Sequence, residues 1–122
     1  MPQVQAQPHL KAKRSGRLLG FTDKVTLNHT SGEKRSFYVT VNSDETGPRE
    51  LFIRSGKAGE EIMADAQALG KLVSTCLQHG VPAEAVIVTL RGIDGGMVGR
   101  YRGQEVGSKA DLIAVALESA LH

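Results

Sequence analysis

Polar and hydrophobic residues alternate through the first half of the chain, a pattern typical of β-strands that bury one face. A break at Ser31-Gly32 separates the first two alternating runs and predicts a hairpin. The stretch 43–48 is dense in turn-forming residues and separates the second run from a third. The inward positions of the three predicted strands are Phe21, Val25 and Leu27, then Phe37, Val39 and Val41, then Leu51 and Ile53.

The spacing of hydrophobic residues then lengthens to three or four, which predicts an amphipathic helix from Glu60 to His79. The apolar stripe of this helix consists of Ile62, Ala66, Leu69, Val73 and Cys76. Gly80 is the predicted stop, and Pro82 suits the first position of a shorter helix through Ala85, Val86 and Leu90.

Residues 97–102 follow a glycine-rich break and are a candidate for a short strand. Ser108 and Asp111 have the spacing of a capping box, so a last helix is predicted to begin there. The apolar stripe of that helix is Leu112, Ile113, Ala116, Leu117 and Leu121. Together these patterns predict an α+β fold: a small antiparallel sheet of three to four strands, covered on one face by the long helix and completed by two shorter helices.

A chain of 122 residues fits one domain, which we assign to residues 17–122. Residues 1–16 are polar, contain two prolines and show no periodicity, so they are predicted to form a disordered basic tail. Four of the 15 basic residues precede the first acid, Asp23, which leaves the rest of the chain slightly acidic. Nucleic-acid binding by the tail is therefore a weaker alternative to a solvated tail.

The single cysteine, Cys76, excludes an internal disulfide, a CxxC pair and a cysteine-based zinc site. The four histidines have no ligand spacing, and no serine lies in a recognisable nucleophile context. We therefore expect no catalytic residue, no metal, no cofactor and no enzymatic activity. The sequence shows neither a secretory signal nor a membrane-spanning run, which predicts a cytoplasmic protein without membrane association.

The first candidate ligand site is the passage from the third predicted strand into the long helix. Its residues are Arg54, Ser55, Gly56, Lys57 and Gly59. Free backbone N–H groups at a helix N-terminus favour an anion, and the two basic side chains add positive charge, so this passage suits a phosphate. The alternative is an ordinary turn, because Glu60 and Glu61 already complement the helix dipole and would repel an anion.

The second candidate site lies between the shorter helix and the last one. Its residues are Arg91, Gly92, Gly95, Gly96, Arg100, Tyr101 and Arg102. Glycines allow a ligand to approach the backbone, guanidinium groups can bind phosphates in a forked geometry, and Tyr101 could stack on a base. The alternative is a surface hairpin with solvated arginines.

Several stretches share residue types and spacing with one known family. They are 38–42, 50–59, 68–73, 79–82, 89–93 and 108–114. In these stretches the chain resembles the TSCPD domain, found near the C-terminus of vitamin-B12-dependent (class II) ribonucleotide reductases. In those enzymes the chemistry lies in a separate barrel with cobalamin and reducing cysteines, which the resemblance does not cover. The metal binding proposed for the family depends on cysteines that this chain lacks.

Two functional hypotheses follow from the residues and the resemblance. The first is a non-enzymatic module that binds a nucleotide-type anionic ligand and regulates or sequesters a nucleotide signal, as compact phage-encoded proteins do. In this hypothesis the protein is a homo-oligomer whose subunits share apolar helix faces. The second is an accessory subunit that docks onto a separate ribonucleotide reductase polypeptide, in place of a domain that other family members carry covalently.

Overall fold

The computed structural model describes residues 17–56 and 59–121. The elements are β1 (Leu19–His29), β2 (Lys34–Asp44), β3 (Gly47–Ser55), α1 (Glu60–Gln78), α2 (Ala83–Leu90), β4 (Met97–Tyr101), β5 (Gln104–Val106) and α3 (Lys109–Ala120). The strands form one antiparallel sheet in the order β3-β2-β1-β4-β5. The predicted α+β class is confirmed, but the sheet has five strands among these residues instead of three or four. The predicted tail, residues 1–16, lies outside the described residues.

The strand that the sequence did not predict is β5. It is three residues long and is joined to β4 by the two-residue turn Arg102-Gly103. Both turn residues have positive φ, 50° and 80°, which a tight hairpin turn of this length requires. Three residues are too few for an alternating pattern to distinguish a strand from a loop, so pairing with β4 decides the conformation.

The predicted helix boundaries agree with the structure to within a few residues. His79 is the C-cap of α1, and Pro82 precedes α2 as its N-cap instead of being its first helical residue. The predicted cap of α3 is confirmed, since the Ser108 hydroxyl accepts the Asp111 backbone N–H at 3.0 Å. Among the described residues, none of the helices combines the length and the hydrophobicity that a bilayer span requires.

The core lies between the inner face of the sheet and α3. The inner face carries the predicted alternating residues, and Val25, Phe37, Val39, Leu51 and Ile53 are among those buried there. Residues 111–117 of α3 are all buried, and this helix contacts β2, β3 and β5. The sheet packs against the long helix as expected, since Ala66, Val73 and Leu77 of α1 belong to the same buried core, but α1 lies beside β3 and the almost wholly buried α3 covers the inner face.

Helix α1 lies along the free edge of β3. The Ser74 hydroxyl accepts the Leu51 backbone N–H at 2.8 Å and donates to the Leu51 carbonyl at 2.9 Å. Gln78 donates to the Arg49 carbonyl at 3.3 Å. A β-carbon on Gly70 would lie 3.3 Å from the backbone of Leu51 and of Ile53, so glycine allows this close approach. Side chains of the helix thus bond backbone groups of an edge strand that could otherwise pair with another strand.

The outer face of the sheet has no helix packed on it among the described residues. Its side chains are exposed or half-buried, because alternate strand positions point away from the core. Thr22 and Thr40 bond to each other across β1 and β2, with 2.7 Å between their hydroxyl oxygens. Phe52 is 53% exposed on β3. Helix α1, at the edge of β3, therefore forms a wall along one side of this open face.

Candidate functional site

The outer face and α1 together enclose a cleft of about 800 Å³, which we call the outer-face cleft. Its floor is formed by Thr22, Tyr38, Thr40, Phe52 and Arg54. Its wall is formed by Glu60, Met63 and Gln67 of α1. The cleft combines two aromatic side chains with hydroxyl, amide, carboxylate and guanidinium groups, so it offers both stacking surface and several hydrogen-bonding groups to a polar ligand.

Tyr38 is flanked by two basic side chains on the outer face. It pairs with Arg54 of β3 and with Lys24 of β1, so the three residues form one row across the sheet. The Arg54 guanidinium lies 4.3 Å from the centre of the Tyr38 ring, and the Lys24 ammonium lies 5.9 Å from it. Within residues 17–56 and 59–121, neither base forms an ion pair with a carboxylate. Both positive charges therefore stay available to an anion.

The first predicted site is divided by the structure. Arg54 points outward into the cleft, whereas Ser55 points inward, with its residue 4% exposed and its hydroxyl without a hydrogen-bond partner among the described residues. Gly56 donates its N–H to the Ser36 carbonyl at 2.8 Å. Gly59 is the N-cap of α1, and Lys57 lies outside the described residues. Strand alternation thus brings Arg54, without Ser55, to the cleft.

In the second predicted site, Arg91 and Gly92 are bound to a carboxylate of the protein itself. Arg91 donates to Asp111, and it also donates to the Gln104 side chain at 2.8 Å. The Gly92 N–H donates to the same Asp111 carboxylate at 2.9 Å, and the Gly107 N–H donates to it at 3.0 Å. Asp111 therefore occupies the position that the sequence had suggested for a phosphate.

Tyr101 and Arg102 also bind a carboxylate of the protein itself. The Tyr101 hydroxyl donates to the Asp23 carboxylate at 2.5 Å, and Arg102 donates to it at 2.9 Å. The Arg102 guanidinium also lies 4.5 Å from the centre of the Phe21 ring. The Tyr101 residue is 7% exposed, so its ring is not open to a stacked base. These contacts fasten the β4–β5 hairpin to β1.

The remaining residues of the second predicted site lie on the surface. The Arg100 side chain is 64% exposed and lies 3.8 Å from the Glu105 carboxylate. Gly95 donates its N–H to the Gly107 carbonyl at 2.8 Å, and Gly96 likewise donates to a side-chain carboxylate nearby. The N–H groups that were expected to meet a ligand are therefore bonded within the protein. Ligand binding by these residues stays a prediction.

The titration behaviour of the two internal carboxylates agrees with this bonding. Burial raises the pKa of Asp111, but hydrogen bonds from Gly92, Arg91 and Gly107 outweigh burial and hold the pKa below its ordinary value of 3.8. Burial likewise raises the pKa of Asp23, but hydrogen bonds from Tyr101 and Arg102 outweigh burial and hold that pKa below 3.8. Burial and the bond to Asp23 raise the pKa of Tyr101 to about 12. Both carboxylates are thus negatively charged at neutral pH and neutralise the arginines that they contact.

A family model described as the TSCPD domain matches residues 14–121, nearly the whole chain. The chain belongs to the TSCPD domain family. No curated protein and no solved structure matches it. The resemblance noted in the sequence is therefore confirmed at the level of the family.

Sequence reasoning missed most of the cleft of this TSCPD domain. Tyr38 and Phe52 fall at the outward positions of β2 and β3, where an alternating pattern predicts polar residues. Two aromatic residues at such positions were the signal that could have revealed the site, because large exposed aromatic side chains mark binding surfaces. Met63 and Gln67 carried no comparable signal, since exposed helix positions tolerate either residue. Their role in the wall depends on the placement of α1 beside β3.

Proposed function

We propose that this TSCPD domain is a non-enzymatic module that binds a nucleotide-type anionic ligand in the outer-face cleft. The observation that carries the proposal is the row of Arg54, Tyr38 and Lys24, which sets two cations without a carboxylate partner, among the described residues, on either side of an aromatic ring. The arginines of the second predicted site lack this property, since Arg91 and Arg102 each bind an internal aspartate.

The chemistry of the cleft suits the parts of a nucleotide. An exposed aromatic ring such as Phe52 stacks on a base, which contributes about 1–3 kcal/mol per base in single-strand binding proteins. The Gln67 amide on the wall can donate to and accept from the edge of a base. Arg54 and Lys24 bind the phosphate. Glu60 repels an anion at the first turn of α1, so we assign the phosphate to the sheet side of the cleft.

We also propose that the protein self-associates through exposed apolar side chains of α1, α2 and the segment between them. Leu72 is 62% exposed and lines, with Val81, a small apolar cavity of about 190 Å³ between the helices, and Val88 is 79% exposed on α2. We call Leu72, Val81 and Val88 the α1–α2 surface. Exposed apolar side chains on neighbouring helices are available to a protein interface. They support the homo-oligomer that the sequence suggested.

The same surface supports a second hypothesis, in which the chain is an accessory subunit of a separate ribonucleotide reductase. The family assignment favours such a partner, because the resembling domain in those enzymes is part of a larger chain. Affinity capture with the full-length protein from its native host tests this hypothesis. Recovery of a reductase that is lost with Val88→Glu supports it, and recovery of none removes it.

Calorimetric titration of the full-length protein with nucleoside monophosphates tests the binding function. We expect binding, and we expect Phe52→Ala to weaken it about tenfold, since one stacked base contributes 1–3 kcal/mol. Val98→Ala is the matched control, because Val98 is 65% exposed on the sheet but does not line the cleft. Absence of binding at millimolar nucleotide, or equal losses in both variants, contradicts the proposal.

A further inference from the structure

The two aromatic residues of the outer-face cleft lie at different positions along two adjacent strands. Tyr38 pairs with Arg54, and Thr40 pairs with Phe52, so Tyr38 and Phe52 are diagonal neighbours on adjacent strands. Diagonal neighbours on a sheet are about 7–8 Å apart. A single base stacks on one ring, and the second ring then needs a second base. The floor of the cleft is therefore suited to two successive nucleotides.

The Arg54 guanidinium extends the aromatic surface. It lies over the Tyr38 ring at 4.3 Å from the ring centre, Arg54 is an exposed residue, and the planar guanidinium group is of a kind on which bases stack. Phe52 lies two residues before Arg54 on the same strand, so it is on the same face. Bases splayed from one strand of nucleic acid are held in this way on the sheets of RNA-binding domains.

The positive charge of the outer face continues beyond the cleft. Alternate strand positions place Lys24, Lys34, Arg54 and Arg100 on this face. The acids at the corresponding positions of the described strands are Asp44, Glu50 and Glu105; Asp44 lies 3.6 Å from Arg49, and Glu105 lies 3.8 Å from Arg100. Lys34 pairs with Asn28 at the far end of β2 from Phe52, outside the cleft. A mononucleotide in the cleft does not extend to Lys34, whereas a longer strand does.

We propose that the outer face binds single-stranded nucleic acid, with successive bases stacked on Phe52 and on the Tyr38–Arg54 pair and the backbone contacting Lys24 and Lys34. This inference rests on the nucleotide-binding function proposed above and names its ligand class. Two exposed stacking surfaces and a basic track on an open sheet favour a single strand, because a duplex hides its base faces.

Fluorescence anisotropy with a labelled oligothymidylate of about 12 nucleotides, competed with thymidine monophosphate, tests the inference in the full-length protein. We expect the oligonucleotide to bind at least about tenfold more tightly than the monophosphate. With two phosphate contacts, at Lys24 and Lys34, the slope of log affinity against log salt should be about −1.4. Phe52→Ala should weaken the oligonucleotide about tenfold.

Lys34→Gln separates the two proposals. We expect it to weaken the oligonucleotide about two- to threefold and to leave the monophosphate unchanged, while the control Lys71→Gln on exposed α1 affects neither. If the monophosphate binds and the oligonucleotide binds no more tightly, this inference fails and the proposed function stands. Oligonucleotide binding that is insensitive to Phe52→Ala also overturns the inference, since the basic residues before Asp23 would then carry it. If neither ligand binds, both proposals fail.

Discussion

Arg91 and Asp111 form an ion pair that joins the end of α2 to the first turn of α3. The Asp111 side chain is 5% exposed, and besides Arg91 it accepts the N–H groups of Gly92 and Gly107. The glycine and arginine loop is therefore built around a carboxylate that belongs to the fold. Removing that carboxylate tests whether the loop is structural.

We expect Asp111→Asn to lower the free energy of unfolding by about 2–3 kcal/mol. Removing one partner of a buried ion pair costs about 3–5 kcal/mol, and the cost is reduced here because the Arg91 side chain is 33% exposed. Denaturant unfolding followed by circular dichroism measures the change. Glu84→Gln in the exposed first turn of α2 is the control and should change stability by less than about 0.5 kcal/mol. Equal effects of the two substitutions would show that the ion pair is unimportant.

The acid dependence of stability should come largely from Asp111, Asp23 and Asp44. The pKa of each of these carboxyl groups is lowered below its ordinary value of 3.8 in the folded protein. The unfolded chain therefore takes up protons first as pH falls, so the stabilising contribution is present above about pH 4 and is lost as the pH falls through the folded-state pKa. Urea unfolding from about pH 7 to about pH 3 should show this loss, and Asp111→Asn should reduce its size. A stability that is independent of pH in this window contradicts the bonding described for the three aspartates.

The alternation of hydrophobic residues was sufficient to predict the inner face, since burial at Val25, Phe37 and Val39 follows directly from strand geometry. It could not place α1, because the contact of Ser74 with the Leu51 backbone depends on long-range packing that the local pattern does not encode. The same limit applies to the loop at Arg91: charge and glycine content suit a phosphate and an internal aspartate equally well.

The alternation of side chains along β3 determines which of the predicted residues reach the candidate site. Arg54 and Ser55 are adjacent in sequence and were assigned to one site, but successive strand residues point to opposite faces. Arg54 therefore reaches the cleft and Ser55 enters the core. Tyr38 joins Arg54 from another strand, a neighbour that follows from the register of β2 and β3. The register between strands depends on the packing of the whole sheet. The residues of the cleft are therefore close together only in the folded structure and form no motif in the sequence.

The edge contact of α1 gives a prediction about Ser74. We expect Ser74→Ala to destabilise the protein by about 1–3 kcal/mol, because the substitution leaves the partly buried N–H and C=O of Leu51 without their partner. Thr75→Ala is the matched control, since the Thr75 side chain is exposed on the same helix. Thermal unfolding of both variants measures the difference. A midpoint for Ser74→Ala that equals the control value would show that the hydroxyl does not hold the edge.

The α1–α2 surface gives a prediction about assembly. We expect the wild-type protein to be an oligomer and Val88→Glu to be a monomer, because a charge at an apolar contact must be desolvated without a partner. Size-exclusion chromatography with light scattering measures the mass. Val98→Glu introduces the same charge at a valine that is 65% exposed on the sheet, and it should leave the mass unchanged. A wild-type monomer at high protein concentration would refute this part of the proposal.

The central claim is that the outer-face cleft, and not the glycine and arginine loop, is where this TSCPD domain binds a nucleotide. Amide chemical-shift mapping of the isotope-labelled full-length protein during titration with a nucleoside monophosphate tests it most directly. We predict the largest shifts at Tyr38, Phe52 and Arg54, with Gly92 and Gly95 unchanged. Largest shifts at the two glycines, or no shift at any residue, would contradict the claim.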